Sequence, residues 1–268
     1  MTDQQIQHDK GAAFRALHEG EPFVIPNPWD AGSARVLEKL GFPALATTSS
    51  GFAFSLGRLD GETSLDEVVA HVEALTVASR LPISVDLENG HGREPRAAAE
   101  AIRRVAEAGA VGGSIEDWDP GDEELYEPGF AAERIAAAAE AAGALPFPFT
   151  LTARAENHLH GNPDLDDTIS RLKAYAEAGA DVLYAPGLRT ADEIRAVCAA
   201  VDRPVNVLAF PGLTMREIAD AGGRRVSVGG ALTWVAANAM VEAAERIRDD
   251  GDFSVLQSPA RIREFLRR

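Results

Sequence analysis

Apolar and polar positions along this chain of 268 residues follow two alternating rhythms. Short, nearly continuous apolar runs, often closing on a polar or acidic residue, fall at 23–26, 44–48, 83–88, 113–117, 149–153, 182–185, 205–208 and 225–228. Between them lie longer Ala-rich segments with helical spacing, among them 95–108, 131–142, 165–178, 191–200 and 215–221. Runs of the first kind suit parallel strands covered on both faces, and the second kind suits helices laid against them. Several helical segments stop at Gly109, Gly143, Gly179 or Gly222, where a left-handed residue can end a helix. The phrases EAGAVGGSIE, EAGADVLYAP and DAGGRRVSVGG are one helix, stop and strand connection used three times.

Eight such units predict an α/β fold of the (β/α)8 TIM-barrel type, with residues 1–268 as a single domain. An open doubly wound sheet is the alternative. It would normally carry a Gly-rich phosphate loop after the first strand, and NPWDAGSA is not that fingerprint. An N-terminal helix over 3–19 and a C-terminal helical extension from 231 onward exceed the minimal barrel. Such additions cover a barrel floor or mediate oligomers.

Composition narrows the partners. Hydrophobic residues make up 46% of the chain and charged residues 25%, the balance of a soluble globular protein. With 42 acidic against 26 basic residues the formal charge is -16, a field that repels nucleic acid and anionic lipid. An anionic substrate would need local positive charge in its pocket. Cys198 is the lone cysteine, which excludes an intrachain disulfide and a Cys-based zinc site and fits a reducing cytoplasm. The polar N-terminus and the lack of a long apolar run predict a soluble, unexported protein.

Barrel chemistry is carried at the C-terminal ends of the strands, and here those ends are acidic. Asp86 and Glu88 follow the third strand at an i, i+2 spacing that points both to one side, and Glu116 and Asp117 follow the fourth. Converging carboxylates repel one another unless protonated or neutralised, and oxygen-only ligands suit Mg²⁺ or Mn²⁺. Capping of the next helix or pairing with arginine is the bland reading of the same acids. Arg154, after the fifth strand, could fork onto a substrate carboxylate or phosphonate, or could merely pair with Glu116 or Glu88. Ser49, Ser50 and Gly51 offer hydroxyls and backbone N–H groups to an anion, although Ser-Ser-Gly is also a common turn. Asp60 lies in a long Gly-punctuated loop before a helix resumes near Leu65, the kind of loop that serves as a lid. His158 and His160 are read as members of a solvated loop, and Cys198 as a small core residue.

SSGF after strand two, the Asp60 loop, DLENGHG after strand three, SIEDW after strand four and TARAEN after strand five together resemble the isocitrate lyase and phosphoenolpyruvate mutase superfamily. Order and strand position match over essentially the whole chain. The resemblance implies Mg²⁺ near Asp86, with Glu88 and Glu116 reaching it directly or through water. It implies that Ser50, Gly51, Phe52 and Arg154 bind the carboxylate end of a 2-oxo acid, that Asn206 joins the substrate site, and that Asp60 sits in a mobile region beside it. It also implies a homo-oligomer, usually a tetramer, whose paired subunits exchange a C-terminal helix, here 231–248.

The departures concern the catalytic loop. The lyases carry KKCGH after strand four and the mutases a Lys and an Asn, whereas this chain reads EDWDPGDEELYEPGFAAER, with neither Lys nor Cys. After strand six YAPGL has Ala185 and Pro186 where lyases show an acid and mutases a histidine. The expected activity is therefore a Mg²⁺-dependent carbon–carbon lyase or decarboxylase acting on a small 2-oxo or 2-hydroxy dicarboxylic acid through an enolate, with Asp60, Arg154 and Tyr126 as catalytic groups. The 2-methylisocitrate lyase and oxaloacetate decarboxylase reactions are its models. Alternatives are a phosphonate enzyme of the phosphonopyruvate hydrolase or mutase kind, and a barrel that binds a 2-oxo acid without turnover.

Overall fold

A computed structural model describes residues 2–258 and 260–267. Eight parallel strands form the barrel: β1 Phe23–Ile25, β2 Leu45–Ala46, β3 Ile83–Asp86, β4 Gly112–Glu116, β5 Thr150–Arg154, β6 Val182–Tyr184, β7 Val205–Leu208 and β8 Arg225–Ser227. Each pairs in parallel with its neighbour from β2 round to β8, and β8 pairs with β1. The remaining seam is drawn together where the Ala46 N–H donates to the Pro26 carbonyl at 3.1 Å. The open-sheet alternative is thereby excluded.

The helices begin and end where local chemistry sets them. Asp30, Ser64, Thr190 and Thr214 accept from the third backbone N–H of their helices, and Ser33, Glu67, Glu193 and Glu217 reach back to complete capping boxes. Those helices are α2 (Ala31–Lys39), α4 (Leu65–Ala78), α8 (Ala191–Ala200) and α9 (Met215–Asp220). Pro95 and Pro128 open α5 (Pro95–Glu107) and α6 (Pro128–Gly143), where a missing N–H costs nothing. Gly109, Gly179 and Gly222 take positive φ just past α5, α7 (Leu165–Glu177) and α9, as expected; Gly143 instead remains inside α6.

The N-terminal helix α1 (Asp3–Leu17) closes the floor: Phe14 is fully buried, and a Cβ on Gly112 would stand 2.7 Å from its ring. Above the floor the barrel interior is polar. Arg225 donates to Asn206 (2.8 Å) and Thr152 (2.9 Å) and meets His18 Nε2 (3.2 Å), and Asn206 donates to Ser227 (2.9 Å).

Two elements depart from the sequence pattern. Strand two ends at Ala46, and Thr48 caps a further helix, α3 (Ser49–Ser55), in a stretch read as turn and loop. After β4 the chain makes an antiparallel hairpin, Trp118–Asp119 against Glu124–Leu125, tied down by Arg93 bonding to both Asp119 and Asp122. The C-terminal extension is α10 (Ala231–Asp250), on which Thr233 is the one buried residue, followed by α11 (Ala260–Leu266), which packs on α2. Among the described residues no helix is long and apolar enough to cross a membrane.

Candidate active site

Two adjoining cavities open at the C-terminal ends of the strands and share Ser49, Asp60, Arg154 and Leu159. The inner one runs down the barrel past Ser50, Asp86, Tyr184, Asn206 and Arg225. The outer one is lined by Glu88, Asn89, Glu116, Trp118, Glu156 and His160. The structure thus brings Ser50, Asp60, Asp86, Glu88, Glu116, Arg154 and Asn206 to one composite site.

Arg154, last residue of β5, is its electrostatic centre. Its guanidinium meets Asp86 at 2.7 Å, Glu156 at 2.9 Å and Glu116 at 3.2 Å, using one nitrogen for each. Three acids around it raise its pKa well above the ordinary arginine value, against the opposing effect of burial. Glu156, two residues beyond Arg154 in the TARAEN motif, also belongs to this site. Asp86, last residue of β3, is held from four sides: its N–H donates to Thr47 Oγ1 (2.8 Å), and its carboxylate accepts from Ser49 N (3.2 Å), Ser114 Oγ (3.4 Å) and Arg154.

One guanidinium does not neutralise so many acids. Burial, then the charges of Asp86 and Asp60, push the Glu88 carboxyl up to about 8. Burial raises Glu116 well above the usual carboxylate range in spite of Arg154, and raises Glu156 and Asp60 as well. Glu88 does not reach the site by strand alternation, since β3 stops at Asp86. It stands at φ 50, a left-handed conformation uncommon for a residue other than glycine and characteristic of functional sites.

Four residues singled out from the sequence lie elsewhere. Asp117 faces away from Glu116, as the next position along a strand does. It is buried against the helices, accepting from Tyr175 Oη (2.5 Å), Arg171 (3.0 Å) and the Glu156 N–H (2.8 Å). Tyr126 is buried; its hydroxyl accepts from Asn89 Nδ2 (3.1 Å), Arg134 lies over its ring, and it lines neither cavity. Phe52 stacks on His71, and Gly51 packs under Thr233, whose Oγ1 stands 2.6 Å from where a Cβ would be. Both lie in α3 behind Ser49 and Ser50. His160 lies in the exposed loop after β5, as expected, but its ring also stacks on Trp118 at the wall of the outer cavity.

The donors around Asp86 are all oxygen and carry surplus negative charge, which fits a hard divalent cation in kind and in charge. They are not drawn up around one: among the described residues no three His, Cys, Asp or Glu side chains stand so as to hold an ion. Arg154 supplies part of the neutralising charge.

A parallel barrel with an acid-rich cavity at its strand ends is the framework of an enzyme for a small polar substrate. The family model for phosphoenolpyruvate phosphomutase matches residues 14–248, and the chain belongs to that family, within the isocitrate lyase and phosphoenolpyruvate mutase superfamily of lyases and mutases. An uncharacterised protein of Mycobacterium tuberculosis H37Rv is 34% identical over 87% of both chains. The 2-methylisocitrate lyase of Escherichia coli K12 is 30% identical, covering 80% of this chain and 76% of that one. The oxaloacetate decarboxylase of Rhodopseudomonas palustris TIE-1 is 29% identical, covering 90% and 86%. Among solved structures, a Burkholderia cenocepacia J2315 protein provisionally assigned as a lyase or mutase superposes with a TM-score of 0.95 at 52% identity over 98% of each chain. Phosphonopyruvate hydrolase in complex with oxalate and Mg²⁺ superposes with a TM-score of 0.85 at 25% identity, over 96% of this chain and 94% of that one.

Proposed function

We propose that the protein is a Mg²⁺-dependent carbon–carbon lyase or decarboxylase acting on a small 2-oxo or 2-hydroxy dicarboxylic acid. One observation carries the reading: Asp86, Glu116 and Glu156 share the Arg154 guanidinium, and Asp60 and Glu88 line the same cavities, which neither lysine nor cysteine lines. Surplus carboxylate charge at the strand ends calls for a divalent cation. Asp86 would hold it, supported by Glu88 and Glu116; Mn²⁺ has the same ligand preference. When bound, the cation supplies electrophilic stabilisation of the oxyanion that develops as the carbon–carbon bond breaks.

The chain's own residues do the rest. Arg154 keeps two N–H donors beyond its three acid partners and lines both cavities, so it can orient a substrate carboxylate. Ser49 and Ser50 present hydroxyls from the start of α3 to the same space. Leu159 and Pro186 line the inner cavity, and Asp60 approaches from the segment between α3 and α4, which fits a part that closes over substrate. The relatives that cleave a 2-methylisocitrate or decarboxylate oxaloacetate support this class of leaving fragment. Absence of a lysine from the cavities favours it over phosphonate chemistry.

Helix α10 leaves Trp234, Val235, Met240 and Val241 open to solvent. We infer that a second copy of the chain covers them in a homo-oligomer.

Release of pyruvate from oxaloacetate and related acids should require added Mg²⁺ and cease with EDTA. Asp86→Ala should abolish it, together with the rise in melting temperature that Mg²⁺ gives the wild type. Turnover undiminished by EDTA, or full activity in Asp86→Ala, would remove the mechanism.

A further inference from the structure

Breaking a carbon–carbon bond beside a 2-oxo group leaves an electron pair that must finally take a proton. Neither a lysine nor a cysteine lines the cavities, and Tyr126 lies outside them. Tyr184 lines the inner cavity, but burial pushes its hydroxyl up to about 12. In the reading above the carboxyls of Glu88 and Glu116 support the cation. We propose that His160 is the catalytic acid that protonates this carbon, with Trp118 as its positioning residue. The inference rests on the lyase reading above and deepens it by naming the group that replaces the missing loop chemistry.

Three features of the structure converge on this ring. It is the one imidazole lining either cavity, facing the space bounded by Glu88, Glu116, Arg154 and Asp60. It lies flat on Trp118, with ring centroids 3.4 Å apart and planes at 9°, so the indole fixes the plane of the ring and covers one of its faces. Among the described residues neither ring nitrogen is engaged in a hydrogen bond, whereas His18 is bonded to Phe14 and Arg225.

The segment that presents the ring is built rather than loose. The His160 N–H donates to the carbonyls of Glu156 (3.2 Å) and Asn157 (3.3 Å). Asn157 is fully buried, and its Nδ2 holds the Asn162 and Asp164 carbonyls and Thr168 Oγ1 at 3.0, 3.2 and 2.7 Å. Such anchoring fixes a ring within reach of a reacting carbon without a lid carrying it in. His160 itself is exposed, which gives water access to return its proton. Burial of one side draws its proton affinity below the ordinary imidazole value, which makes it the better donor.

For a 2-oxo dicarboxylate, the bond to the departing carboxylate breaks and its electron pair enters the bond to the 2-oxo carbon. Carbon dioxide leaves, and negative charge passes to the 2-oxo oxygen. The imidazolium N–H then breaks as a new C–H bond forms, neutral imidazole remains, and water restores its proton. One proton is consumed for each carbon dioxide released.

The same proton transfer can be read without bond cleavage, as exchange of the methyl protons of pyruvate in D2O followed by proton NMR. Wild type should exchange them, and His160→Gln should do so at least about a hundredfold more slowly, while binding oxalate with unchanged affinity by calorimetry. Trp118→Leu should lose about tenfold with Trp118→Phe near wild type, and added imidazole should restore part of the rate in His160→Gln. Exchange at the wild-type rate in His160→Gln overturns the assignment of the histidine alone. A wild type that binds oxalate but neither exchanges pyruvate protons nor cleaves any 2-oxo dicarboxylate overturns the lyase reading with it.

Discussion

Glu116 and Asp117 are chain neighbours with opposite surroundings, and the difference is measurable. Glu116 is a buried acid whose charge is only partly offset, so Glu116→Gln removes a cost as well as a function. It should be at least as stable as wild type in urea while losing about a hundredfold in turnover. Asp117 compensates Arg171 and accepts from Tyr175. Asp117→Ala should lose about 3 kcal/mol in the same melts, because it leaves the Tyr175 hydroxyl and the Glu156 N–H without their acceptor and removes one of the two carboxylates paired with the buried Arg171. His18 supplies a second test at this scale. Burial, aided by the charge of Arg225, lowers it to about 3. The unfolded chain therefore takes up a proton near the ordinary histidine value that the folded chain refuses, and stability falls as pH drops below that value. Between neutrality and about pH 5, wild type should lose about 2 kcal/mol more than His18→Gln. Equal slopes would show that His18 does not carry the effect.

At the scale of elements, the loop joining β3 to α5 carries most of the site's unusual geometry. Glu88 and His91 stand at φ 50 and 57, and Gly90 at φ 80 lies where a Cβ would meet the Ala98 Cα at 2.8 Å. Its backbone is thus wedged against α5, and the wedge sets where Glu88 can point. Gly90→Ala should cost about 2 kcal/mol by thermal melting and depress turnover through Glu88, whereas the same change at exposed Gly129 should do neither. DLENGHG shows that a turn is needed there, but not that the turn, rather than strand alternation, delivers Glu88. The helix α3 is a similar case. Thr48 is a legible cap, yet the SSGF run is short and its apolar face is explained by His71 and Thr233, far along the chain. The 118–125 hairpin was hidden in the same way, since its anchor is Arg93 from another loop.

At the scale of the molecule, α10 is a twenty-residue helix with one buried side chain. Val235 at 67% and Met240 at 60% exposure are an apolar face with no covering element among the described residues. Light scattering should give a mass that is a multiple of the 28.5 kDa chain, and a Trp234→Glu, Met240→Glu double variant should reduce it to one chain. A wild type of 28.5 kDa at micromolar concentration would refute the inference. The formal charge of -16 adds a kinetic expectation: an anionic substrate should be captured faster as salt rises, until screening reaches the pocket itself.

By itself the sequence determined the barrel and the membership of Asp86, Glu88, Glu116 and Arg154 in one region. Both are written in local periodicity: buried parallel strands need apolar runs, helices need spacing and caps, and barrel chemistry lies where the strands end. Only the tertiary structure decided which way those side chains point and what they touch. It turned Asp117 to Tyr175 and Arg171, drew Glu156 onto Arg154, took Tyr126 out of the cavities and brought His160 from the β5 loop onto Trp118. Each of these is a contact between residues remote in the chain or a choice of side at a strand end, and local pattern carries no information about either.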